Sequence, residues 1–366
     1  MKEREEIVAA WRGARSEGRQ AVLATVVRVE GSTYRGAGAR MLVLDAGERV
    51  GGISGGCLED DVVKKAFWMT EQGAALEPFS TRNEDDSRPY GMGCEGVVHI
   101  LLERLRPEAP NEALELLAAC HAAGEPGVLA SVVVARGGAR LGEHVALGPE
   151  GRVFGRIGDE TLTTEVARVA QRCMEAGSGE HAFTHWGERV EVVLERIDPP
   201  PALVLFGAGD DAIPVVAIAK ELGWHVTVAD GRAHYANARR FARADRVVVT
   251  RVNAPLAGLR LSKRAACVVM SHSYEQDRAA LAALAEERVA YIGLLGPRAR
   301  TQTLLDDIGS LRFACASGLH NPVGLDIGSA SPESIALAIV AEVQAVLAGR
   351  DGRPLRERTE RTEPDR

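Results

Sequence analysis

Two of the six cysteines in this 366-residue chain stand where a thiol can do chemistry. Cys57 follows Gly55 and Gly56 in SGGCLE, and Cys94 lies between glycines in GMGCEG. A helix is expected from about Leu58, which puts Cys57 at a helix N-terminus. There the dipole and the unpaired N–H groups lower a thiol pKa and favour thiolate. Such a cysteine can serve as a nucleophile, a persulfide carrier or a soft-metal ligand. The alternative is a small cysteine packed in a tight turn. Cys57 and Glu59 are the candidate catalytic residues, with Cys94 in the same kind of setting. Cys120, Cys173, Cys267 and Cys315 lie in apolar stretches and read as core. No two cysteines form CxxC, so neither a sequence-local metal site nor a disulfide framework is indicated.

Three further stretches could hold a ligand. Gly31-Ser32-Thr33-Tyr34-Arg35, followed by Gly36 and Gly38, has the makings of an anion nest with Ser32, Thr33 and Arg35 as donors, or of an ordinary β-turn. Ser271-His272-Ser273-Tyr274 follows an apolar strand, where open α/β sheets bind ligands; His272 is a candidate contact or acid–base group, or a solvated one. GLLGPRART places Arg298 and Arg300 after another strand end, a position that suits phosphate.

Ala202 to Asp230 organises the second half of the chain. The apolar run Leu203–Phe206 reads as a buried strand, and the segment ending at Leu222 as an apolar helix with Pro214 in its first turn. Gly207 makes the turn, Gly209 allows backbone to approach a pyrophosphate, and the small Ala212 lets helix pack on strand. Asp230 closes the next strand 21 residues after Gly209, where an acid can bond a ribose 2′-OH. Asp210 and Asp211 at the helix start favour the dipole but repel a phosphate. A Rossmann unit is therefore expected, with NAD(P), another nucleotide or no dinucleotide bound.

The elements around these residues follow from pattern. Hydrophobic content of 46% and charged content of 26% fit a soluble globular protein, and a net charge of −7 argues against a nucleic-acid or anionic-membrane binder. The charged N-terminus lacks a signal-peptide core and no run reaches transmembrane length, so a cytoplasmic protein is expected. AVLATVV (21–27) returns as GVLASVV (127–133) at an offset of 106, and MLVLDAGERVGG (41–52) returns as HVALGPEGRVFG (144–155). The expected fold class is α/β: an N-terminal mixed α/β domain (1–196) built from two related βββ units in one sheet, and a C-terminal Rossmann-like doubly wound domain (197–350). The prolines at 199–201 form the linker, and 351–366 reads as a disordered charged tail. The second unit has no counterpart of Gly31–Tyr34 or of SGGCLE, which directs attention to the first.

Taken in order, GSTYRGAGARMLV, GGISGGCLE, GMGCEG, the stretch from LFGAGDDAIP to Arg232, SHSYEQD, GLLGPRART and NPVGLDIGSASPES resemble the XdhC/CoxI family over nearly all of residues 5–350. These are accessory proteins for molybdenum-cofactor maturation of xanthine and carbon monoxide dehydrogenases. The resemblance implies binding of molybdenum cofactor (molybdopterin) as cargo, support of its sulfuration by a cysteine desulfurase, and delivery to a molybdenum hydroxylase apo-enzyme, with a homodimer as the expected assembly. It adds Arg232 to the expected cofactor-binding residues. Two positions depart from the family pattern: Asp210 stands where GAGHDA has His, and Glu95 follows Cys94 where GCGG has Gly. The competing reading is an NAD(P)-dependent oxidoreductase. It would need a proton-transfer group beside the nicotinamide, for which only His272 and Tyr274 offer themselves.

Overall fold

The computed structural model describes residues 2–56, 58–80, 96–309 and 318–357. The chain divides into two compact units, one over Glu3–Pro199 and one from Pro200 onward.

The first unit holds two copies of one arrangement. The first copy runs α1 (Lys2–Ser16), β1 (Ala21–Gly31), β2 (Arg40–Leu44), β3 (Arg49–Gly51), α2 (Glu59–Met69), β4 (Ala75–Ser80), β5 (Gly96–Leu105). The second runs α3 (Glu112–Ala123), β6 (Gly127–Val134), β7 (His144–Leu147), β8 (Val153–Gly155), α4 (Glu160–Ala176), β9 (Gly179–His185), β10 (Glu188–Ile197). The strand orders, β3-β2-β1-β5-β4 and β8-β7-β6-β10-β9, are the same topology. Each copy has two further strands after its helix, beyond the expected βββ unit; the pattern also marks one of them, β5, as a strand near Val97–Glu103. The copies also form two sheets, not the single sheet expected. The reason is hydrogen bonding: β1 has β2 on one edge and β5 on the other, and β6 is flanked by β7 and β10. Neither central strand has a free edge to offer the other copy.

Alternation along β1 and β6 then builds layers. Val22, Ala24 and Val26 pack with Val62 and Ala66 of α2, and Val128, Ala130 and Val132 pack with Leu162, Val166 and Ala170 of α4. The opposite faces meet each other: Leu23 with Leu129, and Val27 with Val133, the first pair joined by Trp11 of α1 and Leu116 of α3. Two buried ion pairs cross this interface in mirrored fashion. Arg40, the first residue of β2, pairs with Glu195 of β10 at 2.5 Å; His144, the first residue of β7, pairs with Glu103 of β5 at 2.6 Å.

The second unit alternates β11 (Ala202–Phe206), α5 (Ala212–Glu221), β12 (His225–Asp230), β13 (Arg246–Val249), β14 (Ala266–Val269), α6 (Tyr274–Leu284), β15 (Tyr291–Leu294), α7 (Arg298–Ile308), β16 (Leu319–His320) and α8 (Pro332–Leu347). All six strands are parallel, in the order β13-β12-β11-β14-β15-β16. Leu203, Leu205, Val226 and Val228 face α5 and α8, while Val204, Phe206, Cys267 and Val269 face α6 and α7. Helices thus cover both faces, and the strand order reverses between β11 and β14. α6 begins at Tyr274, with Ser273 as its N-cap.

Candidate functional site

Three motifs far apart in sequence meet at one end of the first sheet. Gly31, the last residue of β1, pairs with Gly96, the first residue of β5. A Cβ on Gly96 would lie 2.5 Å from the Ser32 carbonyl oxygen and 2.6 Å from the Thr33 methyl, so only glycine fits under the 31–35 turn. The Tyr34 ring packs on Gly55, 3.4 Å from where its Cβ would be, and Arg35 reaches the same distance from Gly52. The GSTYR turn therefore bridges the SGGCLE loop and the end of GMGCEG. Ser32, Gly55 and Gly56 are exposed, and Gly56 has a φ of +114°, a conformation that suits glycine. Cys57, Cys94 and Cys315 lie outside the described residues.

Glu59 shapes this loop. One carboxylate oxygen accepts the N–H groups of Ile53 (3.1 Å) and Ser54 (2.8 Å), and the other accepts the Ser54 hydroxyl at 2.5 Å. Ser54 Oγ in turn accepts from the N–H of Gly56 at 3.1 Å. Glu59 is 3% exposed. Burial pushes its pKa up, but the bonds from Ser54 and the loop amides outweigh that and hold it below the usual carboxylate range. The second copy has the same latch without the charge: Thr163 Oγ1 accepts from Ile157 N at 3.1 Å and donates to its carbonyl at 3.0 Å. Glu59 is therefore a positioning residue in this geometry. Arg35, expected as a nest donor, has its fork on Glu3 at 2.8 and 2.5 Å, and Glu3 also accepts the Gly52 N–H at 2.6 Å. Glu3 carries no motif signal and was not legible in the sequence.

In the second unit, Gly207, Gly209, Asp230, Arg232, His272 and Arg300 gather at the carboxyl ends of the strands. Gly207 has φ +134°, and a Cβ there would come within 2.5 Å of the Met270 carbonyl. Asp230 is 2% exposed and makes its contacts within the protein. It accepts the N–H of Ala208 at 2.9 Å and a two-pronged contact from Arg232 at 2.9 and 2.8 Å. Its carboxylate is turned inward and already balanced. The face of Gly209 is also covered: Asp211 Oδ1 lies 2.5 Å from its Cβ position, and the other oxygen of Asp211 is 2.7 Å from His272 Nε2. Asp210 points to solvent and pairs with Arg240 at 2.6 Å.

Asp277, the last residue of SHSYEQD and not among the expected site residues, fixes the His272 turn. It accepts from the N–H (3.1 Å) and hydroxyl (2.5 Å) of Ser271 and pairs with Arg300 at 2.6 Å. Its signal was its place in the first turn of α6 after SHS, the same strand–loop–acid logic as Ser54 and Glu59. Arg298 is exposed at the start of α7. The crevice between Gly207, Asp230, Thr250 and Ser271 is reduced to about 10 Å³, the room of one water.

Among the described residues no three His, Cys, Asp or Glu side chains form a metal-holding group, and no helix is long and apolar enough to cross a membrane. Cys120, Cys173 and Cys267 are buried as expected, and burial pushes the thiols of Cys120 and Cys267 up to about 12.

Two like-folded antiparallel copies followed by a six-stranded doubly wound unit define a two-part α/β protein with a Rossmann-type second part. Comparison with known families identifies it further. The XdhC and CoxI family model matches residues 14–80 and 120–185, one segment in each copy, and the XdhC Rossmann domain matches 203–343. The chain belongs to the XdhC and CoxI family, as its motifs led us to expect. It is 34% identical to a probable xanthine dehydrogenase subunit of Bacillus subtilis over 88% of this chain and 92% of that protein. It is 27% identical to the uncharacterized protein YqeB of Escherichia coli over 60% of this chain and 43% of that one. Among solved structures, the crystal structure of a xanthine dehydrogenase from Bacillus halodurans is similar with a TM-score of 0.73 and 26% identity, over 98% of each chain.

Proposed function

We propose that this protein is an accessory factor for a xanthine dehydrogenase-type molybdenum hydroxylase. It binds molybdenum cofactor, supports its sulfuration together with a cysteine desulfurase, and hands it to the apo-enzyme in the cytoplasm. The observation that carries this reading is the meeting of the GSTYR turn, the SGGCLE loop and the start of β5 at one end of one sheet. Duplication accounts for the frame of both copies, but only the first holds glycine-walled loops beside candidate thiols. The residues present suit a cargo that is both thiol-reactive and anionic: an open glycine loop for close approach, and a nearby arginine. In this reading Cys57 is the working thiol, and Glu59 with Ser54 holds the loop that presents it.

The nicotinamide alternative draws less support. Asp230 is engaged by Arg232 and Ala208, and a carboxylate covers the face of Gly209 that a pyrophosphate would approach. The test is to purify the protein from a molybdopterin-producing host and assay bound pterin and activation of apo-hydroxylase, for the native chain and Cys57→Ser. Bound molybdopterin with lost hand-over in the variant is expected. A bound, reducible nicotinamide dinucleotide without pterin would refute the reading.

A further inference from the structure

A second feature of the first unit has no role so far. Between the first turn of α1, the 36–39 loop and the end of β10 lies a cavity of about 410 Å³, within the range of small-molecule sites. Four arginines line it, Arg4, Arg35, Arg40 and Arg196, together with the carboxylates of Glu3 and Asp198. Two of the arginines have carboxylates of their own: Arg35 pairs with Glu3 at 2.5 Å, and Arg196 with Asp198 at 3.1 Å. The other two share one. Arg40 holds Glu195 at 2.5 Å, and Arg4 stands off the same carboxylate at 3.7 Å, beyond hydrogen-bond reach. Arg4 makes no hydrogen bond to a described residue. The wall thus has four guanidinium groups against three carboxylates.

Arg4 is the lining group with donors to spare. Arg40 is 2% exposed and has its fork on Glu195 and the Gly38 carbonyl, so it lends the wall charge but no donor. Guanidinium donors in a protein wall are ordinarily satisfied, which leaves those of Arg4 to be filled. An oxyanion in the cavity would balance the extra charge and give Arg4 an acceptor. Phosphate geometry matches paired guanidinium forks.

From this geometry we infer that the cavity is a phosphomonoester subsite and that it seats the terminal phosphate of the carried pterin. The assignment to the pterin rests on the function proposed above; the subsite itself rests on the cavity. Position links the two. The Glu3–Arg35 pair that forms one wall of the cavity also binds the N–H of Gly52, where the loop leading to SGGCLE begins. A ligand with its phosphate on Arg4 would lie beside this wall.

The experiment uses the full-length protein. Inorganic phosphate and ribose 5-phosphate are titrated by calorimetry into the native chain, Arg4→Gln and Ala37→Glu, and copurified molybdopterin is quantified for each. Arg4→Gln removes the surplus charge and leaves the buried Arg40–Glu195 pair intact; Ala37→Glu puts a carboxylate at the cavity mouth. Saturable binding by the native chain is expected, weakened at least about tenfold in both variants, with unchanged thermal unfolding and a matching loss of copurified pterin. Binding unchanged within twofold in both variants, or no phosphate binding at all, overturns the subsite. Phosphate binding lost with pterin content intact overturns its assignment to the cargo. A native chain that carries no pterin refutes the function proposed above and the assignment with it, while the phosphate titration still decides the cavity.

Discussion

Replacing Glu59 separates a positioning carboxylate from an acid–base one. Its Oε1 receives both the Ile53 and Ser54 amides, and its Oε2 receives only the Ser54 hydroxyl. Glu59→Ala removes both acceptor oxygens and with them all three bonds. Ser54 is partly exposed and recovers water, but the Ile53 N–H is buried, so the cost is that of one orphaned buried donor plus the lost charged bonds. That amounts to about 3 kcal/mol. Glu59→Gln retains an amide oxygen for both N–H groups and replaces only the hydroxyl contact, at about 1 kcal/mol. The assay is amide hydrogen exchange at Ile53 and Ser54 in the full-length chain, which reports local opening without assuming two-state unfolding of a two-unit protein. Protection should fall about a hundredfold in the alanine variant and about fivefold in the glutamine variant. Hand-over of cofactor should follow the same order. If glutamine is as damaging to hand-over as alanine while its loop stays protected, Glu59 works by proton transfer and the positioning argument fails.

Other consequences can be checked in parallel. Burial lowers the pKa of His144, but the charge and hydrogen bond of Glu103 outweigh this and raise it above the ordinary histidine value. The stabilisation is thus complete below about pH 6.5 and declines as pH rises through the folded value; His144→Gln should flatten that slope in pH-dependent thermal melts, and a parallel slope would contradict the pairing. Gly207→Ala places a methyl against the Met270 carbonyl at positive φ and should destabilise the second unit by about 2–4 kcal/mol, measured by denaturant unfolding. Asp211→Ala uncovers Gly209 and should raise affinity for NADH at least about tenfold over a weakly binding native chain, measured by fluorescence titration. Equal affinity would mean that Asp211 does not block the phosphate position.

How far the sequence could be read depended on whether a residue's partner was local. The Rossmann strands, the glycine turn and the echo between copies are all recorded in short-range pattern, and the structure has them. The pairing of motifs 31–35, 52–59 and 96 depends on β1 bonding β5 across some 70 residues, which no local pattern reports. The same holds for charges. Asp230 stands at the spacing of a ribose-binding acid, but Arg232, two residues on, folds back and takes its carboxylate. The expectation of one sheet failed because hydrophobic alternation shows that a strand has two faces without showing which strands lie at its edges.

The two copies also locate the functional end by what one of them gives up. Residues 54–58, SGGCL, align with 158–162, GDETL, at an offset of 104. In the second copy Asp159 accepts the Leu162 N–H and α4 is helical from Glu160. In the first copy Gly55 stands where that cap would be, and α2 begins only at Glu59, three residues later, with no side-chain cap. A capping acid is worth about 1 kcal/mol, and glycines at 55 and 56 weaken the turn further. Neither core nor topology demands this, because the second copy keeps the capped turn on the same frame. The frame itself is closely kept: Arg40 and His144, also 104 apart, make matching buried pairs with Glu195 and Glu103. Only the first copy exchanges a capped turn for an open glycine loop next to a cysteine, held by a buried carboxylate where a threonine suffices in the other. A loss of local stability confined to one of two like-folded copies is what the function proposed above would explain, since an open loop leaves room for a ligand.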